Sequence, residues 1–343
     1  MKYKRKKRRG AVLKRYAKNE AYVKGLIFES IIKELTKKAG FCEMDYFQQY
    51  NIKKTGLHGR GARHQIDVMG VFKLGIPFVN PIFLVAEAKN FNRKVRIEEV
   101  RDFLGKYIDI VQFNRVNTKT PQEIRYTDIL QPRVTYRPVF FSMKGFVKSA
   151  EELMFAHGIS YFSYENSAIM KRISKLVNQQ LKQIKFSKLV DTDFKIFKEV
   201  EQFKNLRMEV KRQNYDKVVD KINSYLLRVN SYIGVLDKNF PIHILTTNKR
   251  VPKKHKEIKL ELENDTNLII KSIKNIRFGQ FSLPKHFIQA YVKFAKKQNR
   301  LSTIFKQIDL VLPIGNTMNL VNLKINDSSR KELIDKISGY NEQ

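Results

Sequence analysis

The sequence predicts an α/β chain: a mixed β-sheet flanked by helices, followed by a second, α+β domain. Three observations lead there. In the first half, helix-spaced apolar segments alternate with short strand-like runs. The run Ile82–Ala86 is continuously apolar, as a strand covered on both faces should be. Past about residue 185 the pattern changes to a charged helical stretch and then to further strands.

In order, the apolar positions Leu26, Ile27, Phe28, Ile31, Ile32 and Leu35 place an amphipathic helix over residues 19–38, with Gly40 as its C-cap. The aromatic-rich segment 41–50 is expected to form a strand. Residues 53–63 carry Gly56, Gly59 and Gly61 and read as a flexible, positive loop. Strands are expected at 66–74, 82–89, 136–142 and 159–164, and helices at 96–111, 150–157 and 168–184. A mostly helical stretch over 191–227 follows. Strands are then expected near 242–245, 258–262, 268–273 and 308–312, with a helix near 286–296. The expected units are a basic disordered arm over residues 1–18, one domain over 19–184 and another over 185–343.

Composition narrows the partners. The 343 residues hold 67 Lys plus Arg against 33 Asp plus Glu, a formal net charge of +34. A field of that size attracts polyanions, because neutralising phosphates releases condensed counterions. Apolar runs are too short to span a bilayer, so nucleic acid is expected and a membrane is not. The first nine residues are basic at seven positions, Lys4, Arg5, Arg8 and Arg9 among them, and read as an arm against a phosphate backbone. Cys42 is the only cysteine, which fits a reducing, cytoplasmic setting. There is no Gly-x-x-x-x-Gly-Lys-Ser/Thr loop, no Gly-x-Ser-x-Gly elbow and no His-Glu-x-x-His pair, so an ATP-driven motor, a serine hydrolase and a zinc protease are not encoded.

One set of residues carries chemistry. Asp67 lies near the start of a predicted strand, Glu87 follows twenty residues later, and Lys89 two beyond that. Residues two apart on a strand project from one face, so Glu87 and Lys89 point together while Ala88 turns to the other side. If the two strands are neighbours, two carboxylates and an ammonium converge. Hard oxygen donors of this kind suit Mg²⁺ or Mn²⁺, which needs only a couple of carboxylates and can activate water against a phosphodiester. Lys89 would orient that water or sit against the phosphate. The bland alternative is a set of solvated strand-edge charges; against it, burying three charges at the ends of apolar strands is costly unless they pair or bind a metal.

With these residues in view, residues 25–110 resemble the Mrr-like branch of the PD-(D/E)xK nuclease superfamily. The features that carry the resemblance are Gly25-Leu26-Ile27-Phe28-Glu29, Gly40-Phe41, the stretch from Gly59 to Asp67, Glu87-Ala88-Lys89, and Val100-Arg101-Asp102-Phe103. Ile66 stands where a proline is common. The resemblance implies a restriction-endonuclease-like fold, Asp67 and Glu87 as metal ligands, Lys89 as the catalytic lysine, and Glu29 as a supporting acidic residue. Glu29 reads equally well as a surface partner for Lys33 one helical turn on. Arg60, Arg63 and His64 are expected to touch phosphates or bases; His64 as a metal ligand is disfavoured because no zinc spacing surrounds it. The cluster Lys249, Arg250, Lys253, Lys254, Lys256 is a further candidate phosphate contact or a solvated face.

The expected activity is Mg²⁺-dependent hydrolysis of DNA phosphodiester bonds; the resemblance implies a 5′-phosphate product and a place in prokaryotic restriction, phage defence or repair. The expected localisation is cytoplasmic and nucleoid-associated. Two alternatives stay open: an inactive nucleic-acid-binding scaffold with a nuclease-like fold, and an RNA-directed enzyme. A double-strand cutter usually needs two sites, so a homodimer is reasonable. The second domain would select the target, oligomerise or bind a partner protein.

Overall fold

The computed structural model describes residues 20–21, 23–42, 57–72, 81–116, 134–182, 215–247, 256–314 and 317–339. The basic arm with Lys4, Arg5, Arg8 and Arg9, most of the expected 41–50 strand and nearly all of the Lys249–Lys256 cluster lie outside them. Among the described residues the fold is α/β, with seven α-helices, a five-stranded mixed sheet, a small hairpin and a closed seven-stranded barrel.

The first helix, α1 (residues 23–38), buries Val23, Ile27, Ile31 and Leu35, the four-residue spacing of one helical face. It ends at Gly40, whose φ of 104° is left-handed and whose N–H bonds to the Lys37 carbonyl, the expected glycine cap. A Cβ at Gly40 would sit 1.8 Å from Met318 Cε, so a side chain there would displace the end of that methionine.

Next come β1 (Phe41–Cys42), the hairpin strands β2 (Leu57–His58) and β3 (Arg63–His64), β4 (Val68–Phe72) and β5 (Ile82–Lys89). They lead to α2 (Ile97–Val116), β6 (Thr135–Ser142), α3 (Lys148–Ala156), β7 (Ser160–Ser163) and α4 (Ala168–Leu181). The sheet order is β1-β4-β5-β6-β7, antiparallel on the β4 side and parallel from β5 to β7. Because β5 is central it is covered on both faces, which is why its sequence is an unbroken apolar run. Ala86 and Ala88 face α1 and α4, whereas Val85 packs with Val100, Phe103 and Ile110 of α2. The result is three layers, helix on sheet on helix.

The helix α5 (Tyr215–Leu226) falls in the second expected domain, yet Ile222 and Leu226 join the core built on α1 and α4. Beyond it the chain forms β8 (Asn230–Leu236), β9 (Phe240–Thr246), β10 (Lys256–Leu262), β11 (Asn267–Ser272), β12 (Arg277–Ser282), α6 (Lys285–Lys297), β13 (Gln307–Ile314), β14 (Thr317–Ile325) and α7 (Asp327–Gly339). The barrel runs β10-β11-β12-β9-β8-β13-β14 and closes where β10 pairs parallel to β14. The second half is therefore not an open sheet, and closure removes its free edges. Its core draws Ile288 and Val292 from α6 and Leu333 and Ile337 from α7.

The two halves meet across hydrogen bonds as well as apolar contacts. Lys38 Nζ donates to the carbonyls of Leu226 and, at 2.8 Å, Val229. Tyr164 Oη and His243 Nδ1 stand 2.6 Å apart, Gln280 Nε2 donates to Ser167 Oγ at 2.7 Å, and Asn166 Nδ2 donates to Thr266 Oγ1 at 2.7 Å.

Candidate active site

The register of the sheet brings the predicted triplet together. β4 and β5 are antiparallel with Val68 opposite Ala86, so Asp67, one residue before Val68, comes level with Glu87. Residues directly opposite in an antiparallel pair share a face. Asp67 Oδ2 accepts the Ala88 N–H at 2.9 Å and lies 3.4 Å from Lys89 Nζ. Lys89 Nζ donates to Glu87 Oε1 at 2.5 Å. The Glu87 side chain is 5% exposed and that of Asp67 11%. Groups this buried stay charged only through their partners.

A fourth charge completes the cluster. On α2, Phe103, Lys106 and Ile110 recur at helical spacing, so Lys106 projects from the face that lies on the sheet. Its ammonium stands 3.4 and 3.5 Å from the two Glu87 oxygens. Glu87 is thus held between two lysines. No motif points to Lys106; its role is visible only once the helix is docked.

The electrostatics are those of too many carboxylates in a dry place. Burial, and then the nearby Glu87 carboxylate, push the Asp67 carboxyl above its ordinary range against the pull of Lys89, the Ala88 N–H and Lys106. Glu29 on α1 is pushed up to about 8, first by burial and then by Asp67, with Lys89 opposing and Glu87 adding to the rise. Glu29 therefore shares the field of the triplet. Burial works against the Lys89 charge, but Glu87 and Asp67 outweigh it and hold the ammonium above its usual value.

The glycine-bearing hairpin has a structure its composition does not suggest. Asp109 of α2 accepts Gly61 N–H at 2.9 Å, Ala62 N–H at 3.2 Å and a His64 ring nitrogen at 2.6 Å, and its carbonyl accepts Arg60 N–H at 3.0 Å. A Cβ on Gly59 would stand 2.0 Å from Asp109 Oδ2. Gly59 lets backbone close on a carboxylate, so the described part of the expected flexible loop, residues 57–63, is a turn wrapped round Asp109, while Gly56 lies outside the described residues. These bonds hold the Asp109 carboxyl below its ordinary range, His64 contributing most. His64 is engaged there, whereas Arg60 and Arg63 are exposed.

Among the described residues no group of three or more His, Cys, Asp or Glu side chains forms a ready metal cage. The donor set at the triplet is of another kind: two carboxylates, with both protein contacts to Asp67 falling on Oδ2 and none on Oδ1 among the described residues. Two carboxylates fit an ion such as Mg²⁺, which keeps several waters and takes substrate phosphate as a further ligand.

No family model matches the chain, and no curated protein matches it. One solved structure is similar, the crystal structure of a protein of unknown function, AF1548, at 13% identity over 52% of this chain and 92% of that one, with a TM-score of 0.26. A likeness that shallow leaves the chemistry to the residues themselves. No described helix is long and apolar enough to cross a membrane.

Proposed function

We propose that the chain is a divalent-cation-dependent nuclease, with a restriction-endonuclease-like unit at its N-terminal end, that hydrolyses DNA phosphodiester bonds. The observation that supports it is the convergence of Asp67, Glu87 and Lys89 at the adjoining ends of β4 and β5 in a chain of net charge +34. Asp67 and Glu87 would hold a Mg²⁺ or Mn²⁺ ion. When bound, the ion would neutralise charge developing around phosphorus and lower the pKa of its water.

The protein's own groups have definite parts. Ala88 N–H holds Oδ2 of Asp67, and Oδ1 would be the atom offered to the ion. Lys89, held protonated by its carboxylate neighbours, would donate to a non-bridging phosphate oxygen or to the attacking water. Lys106 offsets the second carboxylate and keeps Glu87 from swinging away.

The test is cleavage of plasmid, linear duplex, single strands and RNA with Mg²⁺, beside Asp67→Ala and Lys89→Ala. Cleavage by the parent chain and its loss in both variants, with binding retained, supports the reading. Binding without cleavage by the parent chain would leave a polyanion binder, and cleavage of RNA alone would reassign the substrate.

A further inference from the structure

The helix α6 and its C-terminal turn present a surface that the proposed site does not use. Ile288, Val292 and Ala295 pack into the barrel core, so the opposite face is the solvent face. That face exposes His286, Lys293, Lys296 and Lys297, and Arg300 follows just beyond. From Lys285 to Arg300 there is no Asp or Glu, and among the described residues no carboxylate pairs with Lys293, Lys296, Lys297 or Arg300. Lys285 alone is neutralised, by Asp265 at 2.6 Å.

The neighbouring α7 makes the contrast. It packs on the same barrel, but its exposed residues mix Glu332 and Asp335 with Lys331 and Lys336. Solubility is served by either pattern; of these two helices, α6 concentrates one sign.

Among these cations Phe294 is 62% exposed. Lys293 and Lys297, four residues apart, share one stripe of that face, and Phe294, three before Lys297, borders the stripe. A second aromatic, Phe155 at the end of α3, is 65% exposed and stands 6.5 Å from Phe287 of α6, centroid to centroid. An exposed ring bordering unpaired cations, as Phe294 is, suits a flexible polyanion with flat faces: ammoniums for phosphates, a ring for an unstacked base.

We infer that the outer face of α6, centred on Phe294, Lys293, Lys296 and Lys297, binds single-stranded nucleic acid. A duplex keeps its bases stacked and offers Phe294 nothing. An anionic membrane is the poorer match, because the apolar side of α6 is spent in the barrel and one ring buries too little area to anchor a helix. This surface shares the polyanion of the proposed site but stands or falls apart from catalysis.

The test uses the full chain in EDTA, so that no cleavage occurs. Its probes are a labelled mixed-sequence single strand, the same sequence as duplex, and phosphatidylserine vesicles. Phe294→Ala should weaken single-strand binding roughly tenfold, the scale of one lost stacking contact, and leave duplex affinity unchanged. The triple variant Lys293→Gln, Lys296→Gln, Lys297→Gln should lower the slope of log affinity against log salt by about 2, near 0.7 for each lost phosphate contact. All these side chains are exposed, so unchanged melting temperatures confirm intact folding. Single-strand affinity unmoved by Phe294→Ala would overturn the inference, as would equal losses on single strand and duplex. Loss of vesicle binding alone would assign the face to a membrane instead.

Discussion

His243 offers a quantitative handle on how the two halves are joined. It sits on β9 at the seam, 4% exposed, with Tyr164 Oη 2.6 Å from Nδ1 and Ser231 Oγ 2.6 Å from Nε2. The rings of Phe141, Phe162 and Tyr164 surround it within about 6 Å. A neutral imidazole satisfies both hydroxyls, donating to one and accepting from the other. Burial among apolar rings disfavours the charged form and pushes the pKa down to about 3 from an ordinary 6.5. In the unfolded chain the ring takes up a proton near pH 6.5; in the folded protein it does not. Its stabilising contribution is therefore complete above about pH 6.5 and is lost as pH falls toward 3. At pH 5 the loss from this one group is about 2 kcal/mol.

The perturbation is His243→Gln, which keeps a polar side chain at the seam but cannot titrate. Urea unfolding at pH 7 and pH 5 gives the free energy for each protein. Glu29 and Glu151 titrate in the opposite sense, but they are common to both proteins and cancel in the difference. The wild type should lose about 2 kcal/mol more than the variant between the two pH values. Equal losses would refute the picture of a neutral, water-excluded histidine clasped between the sheet and the barrel.

Three further outcomes follow from single side chains. Glu151 is pushed up to about 7, chiefly by burial, and its Oε2 has no hydrogen-bond partner among the described residues, so its ionisation destabilises the fold as pH rises from 4.5 through 7. Glu151→Gln should then stabilise the protein by about 1–2 kcal/mol at pH 8 after allowance for solvent, and by little at pH 4.5, in urea melts. Gly59→Ala drives a methyl into Asp109 and displaces the bonds to Gly61, Ala62 and His64; it should cost about 1–3 kcal/mol in the same assay, and an unchanged stability would contradict the wrapped turn. Lys106→Met removes one of the two ammoniums on Glu87; kcat for DNA cleavage should fall roughly tenfold with KM little changed, whereas a pure KM effect would make Lys106 a substrate contact.

Much of the first half was legible because its signals are local. The Ile82–Ala86 run reads as a doubly covered strand, and the strand ends at Lys89 as expected. The same local spacing located α1, α2, α3 and α4 to within a few residues. Glu87 and Lys89 were paired by strand alternation alone, and Asp67 needed only one neighbouring strand. The barrel was not legible, because its closure pairs Lys256–Ile258 with Leu323–Ile325, segments with nothing local to match them. β8 lies beyond the helical stretch expected over 191–227 and before the strand expected near 242–245, and no element is expected there; β12 carries Arg277 and Gly279 where a strand reading wants apolar residues. β14 was hidden by Asn319 and Asn322, although Val321, Leu323 and Ile325 alternate inward. Composition also misleads at Gly59 and Gly61, which read as flexibility; Gly59 is instead a close fit to Asp109, and Gly61 donates its N–H to the same carboxylate.

The central claim is that Asp67 and Glu87 together form one divalent-cation site beside Lys89. Isothermal titration of Mn²⁺ into the wild type, Asp67→Asn and Glu87→Gln tests it most directly. The account predicts saturable binding at one class of site, weakened roughly tenfold or more by either substitution. Binding that both variants retain unchanged, or no binding by the wild type, would contradict it.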